Sequence, residues 1–222
     1  MYAAYCPFSD YELRVISFYA LHLKSEEKAQ SFFDEVVAKT TTEHPYRAMM
    51  NQVERFVSLA TEMQTKEQSD ALALSFLKTC METLASFAGL ETIPFCQSFA
   101  KCFSNQAEEY VFKNLEVEVV LNDESIGFPE GCTIDECLVL VKAFRDSAVH
   151  EGKCWSSQFF ALYKGRALFS VIQSETSIAR VPKDKHGAFD YCITTKLWYD
   201  DFIDYFVEAC VGFIKSLMNR SV

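Results

Sequence analysis

The sequence predicts an α+β fold: a five-helix N-terminal bundle over residues 1–113, packed on a C-terminal α+β unit over 114–222. In that unit an antiparallel sheet of three to four strands would be covered by two helices. Three observations predict it. Through the first half, apolar residues recur at spacings of three and four, as the buried stripe of a helix does. At Asn114 the pattern changes to alternation in Leu115-Glu-Val-Glu-Val-Val-Leu121, the period of a half-buried strand. In Gly187–Asn219 a strand pattern, with Phe189, Tyr191, Ile193 and Leu197 on one face, runs without a proline into a helix pattern. That helix carries Phe202, Phe206, Ala209, Cys210, Phe213 and Leu217 as its stripe.

The elements follow in chain order. Ser9 or Asp10 caps a first helix through about Leu23, apolar almost all round, with Leu13, Ile16, Ala20 and Leu23 as its main stripe. Glu26 to Lys39 is a surface helix whose inward residues are Ala29, Phe32, Phe33, Val36 and Val37. Pro45 suits the first turn of a third helix, which carries Met49, Val53, Phe56, Val57, Ala60 and Met63. A fourth holds Ala73, Phe76, Leu77, Cys80, Leu84, Phe87 and Ala88, and Gly89 stands where a left-handed C-terminal cap belongs. Pro94 opens a fifth helix that runs on through Phe95, Phe99, Cys102, Phe103 and Tyr110.

The second half reads as a strand followed by the order αβββα. Thr133 and Glu136 form a capping box for a helix through about Val149, with Cys137, Leu138, Val141, Phe144 and Ala148 inward. Ser157–Tyr163 and Arg166–Gln173, separated by Lys164-Gly165, read as a hairpin. Residues 188–197 and 199–218 are the last strand and helix, and strand 115–121 would add an edge. The αβββα order is shared with double-stranded RNA-binding domains, which need basic residues at the second helix. Here that helix starts with Asp200, Asp201 and Asp204, so topology alone licenses no function.

A chain of 222 residues, half of them hydrophobic, can bury a sizeable core. A formal net charge of −10 argues against nucleic acid, whose binding rests on Lys and Arg neutralising phosphates. No uncharged apolar run approaches the roughly 18 residues of a membrane span. The first residues carry no charged segment leading into an apolar one, so no secretory signal is expected. Nine cysteines then read as reduced thiols in the cytoplasm.

Four constellations bear on chemistry. Cys132, Cys137, His150 and Cys154 have the ligand types and spacing of a small structural zinc site, but the helix start at Thr133 fits core filling by Cys137, with His150 at a helix C-terminus, better. Asp200, Asp201 and Asp204 form a DDxxD pattern that could hold magnesium; acidic residues also suit the first turn of any helix. A thiol nucleophile would need Cys154 or Cys192 beside His150 or His186. Lys164, Arg166, Arg180, Lys183, Lys185 and His186 gather positive charge at the turns of the expected sheet. A methionine stripe at Met49, Met50 and Met63 fits core filling better than an adaptable groove.

Glycine-rich phosphate loops and the common hydrolase and zinc-protease motifs are absent from the sequence. The expectation is a non-catalytic, soluble interaction protein of adaptor or chaperone kind, with a protein partner, a possible homodimer and no required cofactor. The alternatives are a small-molecule-binding protein or enzyme with an aromatic cavity between the halves, and a zinc-binding module.

Overall fold

A computed structural model describes residues 8–41, 44–64, 70–121, 124–127, 133–135, 137, 138, 141, 173–174, 190–195 and 197–220. Among these, seven helices carry the fold: α1 (Phe8–Leu23), α2 (Glu26–Lys39), α3 (Tyr46–Gln64), α4 (Asp70–Phe87), α5 (Thr92–Ala100), α6 (Asn105–Asn114) and α7 (Tyr199–Arg220).

The expected α+β architecture is overturned. The described protein is mainly helical, and α7 lies among the N-terminal helices instead of covering a sheet. The reason is on α7 itself. Tyr199, Phe202, Ile203, Phe206, Val207, Cys210, Phe213 and Ile214 are all buried, and they span more than one stripe of the helix. A helix that is apolar on several sides needs neighbours on several sides, which one sheet face does not supply. It finds them in α1, α3 and α5.

Direct contacts fix the helix directions. Thr61 and Tyr199 hydroxyls lie 3.4 Å apart at one end of α7, and the Tyr46 hydroxyl donates to the Leu217 carbonyl at 3.5 Å near the other, so α3 runs antiparallel to α7. Lys215 meets Glu35 at 2.9 Å, and Lys39 Nζ donates to the Met218 carbonyl at 3.1 Å, so α2 runs parallel to it. The Lys39 cation thereby meets an unsatisfied carbonyl at the negative end of the α7 dipole. Asp200 and Asp201 oppose the positive end.

One continuous cluster of buried side chains runs from Val15 on α1 to Met218 on α7. Its aromatic centre is Phe99, whose ring lies 5.2 Å from Phe95, 5.6 Å from Phe206 and 6.0 Å from Phe213. Such a ring, fully buried, contributes about 1.5–3 kcal/mol by transfer alone. Tyr19 is also fully buried, stacks edge-on to Phe32, and donates its hydroxyl to the Met50 carbonyl at 2.9 Å. That bond lets a phenol enter the core, and burial pushes its pKa well above the ordinary value.

Local chemistry explains most boundaries. Ser25 caps α2 by accepting the Lys28 N–H, and Gly89 closes α4 at φ 64°. The Leu90 N–H reaches the Ala85 carbonyl and the Gly89 N–H the Ser86 carbonyl, the paired bonds of a Schellman ending. The single fifth helix expected from Pro94 to Tyr110 is two helices. The Ser104 side chain accepts from the Ala107 N–H and starts α6 afresh.

The last turn of α6 passes at Asn114 into extended backbone, where the residue pattern changes. Leu115–Leu121, Glu124–Gly127, Asp190–Thr195 and Gln173–Ser174 pair antiparallel along their backbones. Leu115–Leu121 lies between two partners, not at an edge as expected. Leu115, the first of these extended residues, is fully buried and joins the core cluster. Ile134, Cys137, Leu138 and Val141 are buried at helical spacing, and the Cys137 N–H donates to the Thr133 carbonyl at 2.9 Å. The hairpin expected over 157–173 lies, apart from Gln173, outside the described residues.

Candidate functional site

The groove that the helices leave open follows from the parallel pairing of α2 with α7. Both helices turn polar residues outward, and α1 ends between them at Leu23. On the far side the chain breaks between α5 and α6 and presents Cys102 and Ser104. The resulting open cleft has a volume of about 630 Å³, within the roughly 300–1,000 Å³ range of ligand-binding clefts.

Leu23, Val211, Gly212 and Cys102 form its less polar floor. Gly212 brings the α7 backbone close to the α5–α6 turn: a Cβ there would stand 3.5 Å from both the Cβ and the carbonyl oxygen of Cys102. The rims carry charges of both signs, with Glu27 and Lys28 on α2 and Glu208 and Lys215 on α7. Lys215 is held in place by Glu35, which also accepts the Ser31 hydroxyl at 3.0 Å. The Lys215 hydrogen bond, aided by that of Ser31, keeps the Glu35 carboxyl below its ordinary range.

The half-buried Cys102 thiol donates to the Ser98 carbonyl at 3.5 Å, and burial pushes its pKa up, away from the reactive thiolate. The perturbed thiols and phenols described all shift upward, and the perturbed carboxylates Glu35 and Glu109 shift down. Each of these shifts favours the protonation state that the group ordinarily holds at neutral pH.

The residues singled out from the sequence are only partly among those described. Of the zinc set, Cys137 is fully buried on an apolar stripe, while Cys132, His150 and Cys154 lie outside the described residues. The three aspartates face different partners. Asp204 is bound by His22 Nδ1 at 2.7 Å and Lys24 Nζ at 2.6 Å, Asp201 accepts the Tyr110 hydroxyl at 3.2 Å, and Asp200 is exposed. Among the described residues no group of three metal-binding side chains converges. Of the proposed thiol and imidazole pairs only Cys192 is described, and only in its backbone; the basic cluster from Lys164 to His186 lies outside. Met49 and Met50 are core, and Met63 is partly buried against it. Cys80, Cys96, Cys102, Cys137 and Cys210 are not in disulfides.

Sequence reasoning missed the groove. A lone glycine inside the α7 pattern was the available signal, because such a residue often marks a close backbone approach. The cleft is lined by aliphatic, thiol, polar and charged residues. Among the described residues no helix is long and apolar enough to cross a membrane. No family model, no curated protein and no solved structure matches this chain.

Proposed function

We propose that the protein is a non-catalytic interaction module of adaptor or chaperone kind, which holds a short segment of a partner protein in the groove between α2 and α7. One observation supports this reading above the rest: an open cleft with a largely apolar floor at Leu23 and Val211 and paired charges of both signs on its rims. An amphipathic segment would lay its apolar side chains on that floor and meet Lys28 and Lys215, or Glu27 and Glu208, with its own charges. A net charge of −10 speaks against nucleic acid as the occupant. A cytoplasmic setting suits the free thiols.

The test places a photo-crosslinking residue at the exposed rim position Lys28 and maps what it captures in cells of its own source. The expected result is attachment to an amphipathic peptide of one protein, abolished when Ser31→Trp fills the groove. Capture that Ser31→Trp leaves unchanged would sink the reading. So would a small organic molecule that native mass spectrometry finds bound to the parent chain and missing from Ser31→Trp.

A further inference from the structure

On the outer face of α1 two leucines stand symmetrically about a small residue. Leu13 and Leu21 are 62% and 64% exposed, unusually open for large aliphatic residues. They sit four residues either side of the exposed Ser17, and at about 100° per residue each lies some 40° from it on the helix surface. Seven residues out in each direction stand the exposed Asp10, in the first turn of the helix, and the exposed Lys24, just past its last residue at φ 53°, of opposite charge. Val15 and Tyr19, fully buried, take the opposite side of the helix.

From this symmetry we infer that α1 is the contact face of a homodimer, packed antiparallel against the same helix of a second copy about a two-fold axis at Ser17. A two-fold interface uses one patch against itself, so each residue must suit its mirror position. Crossing at Ser17 sets Leu13 against Leu21 of the second copy in both halves and brings Asp10 to Lys24. The small Ser17 lets the helices approach at the centre, where a large side chain would hold them apart. Lys24 holds Asp204 within its own chain, but its side chain is 67% exposed and its ammonium has donors to spare. One helix pair makes a small contact, so the dimer forms at micromolar concentration or above. The face is separate from the groove between α2 and α7, and the inference stands without it.

Sedimentation velocity across a concentration series tests this on the full chain. The expected result is a reversible monomer–dimer equilibrium that Leu13→Glu with Leu21→Glu weakens at least about tenfold, a shift of roughly 1.4 kcal/mol. Ser17→Glu, which sets two like charges at the axis, should weaken it as well, with an unchanged circular dichroism spectrum. As a check independent of those variants, Ser17→Cys under mild oxidation should give a disulfide that joins the two copies through the introduced thiols, identified by peptide mass spectrometry. A chain that stays monomeric to about 100 μM overturns the inference. A dimer unaffected by the leucine changes, with no such disulfide, overturns it too.

Discussion

The hydroxyl of Tyr110 accepts the backbone N–H of Trp198 at 2.9 Å and donates to Asp201 at 3.2 Å, tying α6 to the start of α7. One side chain thus satisfies an amide just ahead of a helix whose own first N–H groups lack partners. Tyr110→Phe removes the acceptor and should cost about 1–2 kcal/mol in denaturant unfolding. Burial, the leading cause, helps push the phenol up to about 12. Its folded pKa therefore exceeds the unfolded value near 10, so its contribution is complete below pH 10 and disappears between about 10 and 12. Absorbance titration at 295 nm should lose one late-ionising phenol in Tyr110→Phe.

Gly212 separates the packing role of a glycine from its cost. A methyl group there meets Cys102 only at ordinary contact distance, 3.5 Å, and alanine favours helix over glycine by about 1 kcal/mol. Gly212→Ala should therefore be neutral or stabilising by up to about 1 kcal/mol in thermal unfolding. Gly212→Leu should destabilise by about 1–3 kcal/mol, because its further carbons press on the α5–α6 turn.

The Glu35–Lys215 pair makes a pH prediction of opposite sign to that of Tyr110. A carboxyl held below its ordinary range stabilises the fold above that range, and the effect fades as pH falls through the depressed value. Both side chains are more than a third exposed, so the pair is worth no more than about 1 kcal/mol. In Lys215→Met the Glu35 carboxyl should titrate closer to its ordinary pKa, read from its side-chain carbon shift by NMR.

Gln64 is 3% exposed, and neither polar atom of its amide has a hydrogen-bond partner among the described residues. Burying an unpaired amide costs about 1–3 kcal/mol. Gln64→Met keeps the shape and removes the polar atoms, so it should raise the unfolding midpoint. A fall instead would show that the amide is satisfied.

Side-chain periodicity made individual helix faces legible but not what covers them. On α2, Ala29, Phe32, Phe33 and Val36 are buried as their spacing implies, and Val37 at the edge of the stripe is 41% exposed. On α7, Phe202, Phe206, Ala209, Cys210 and Phe213 are inward as read, yet they meet helices instead of a sheet. A stripe records which residues avoid water and is silent on the shape of the surface opposite. On α1 the face was legible only in part: Ile16, Ala20 and Leu23 pack against the core, but its centre lies elsewhere. With apolar residues nearly all round, periodicity could not set the phase: Val15 and Tyr19, whose hydroxyl donates to the Met50 carbonyl, are fully buried, and Leu13 faces out. The groove was harder still, because it arises where α2, α7 and the α5–α6 turn meet, and no single stretch of sequence contains it.

The position of α7 sets a constraint on how the molecule comes to be folded. Its bonds to α2 and α3 span 179 residues from Lys39 to Met218 and 171 from Tyr46 to Leu217. Contacts of such high sequence separation pay their loop-closure entropy late, and they slow folding more than a short-range helical bundle would suggest. During synthesis the inner surfaces of α1, α3 and α5 emerge well before the helix that covers them. Phe95 and Phe99 then remain open to water, or to a chaperone, until the ribosome has delivered Phe206 and Phe213.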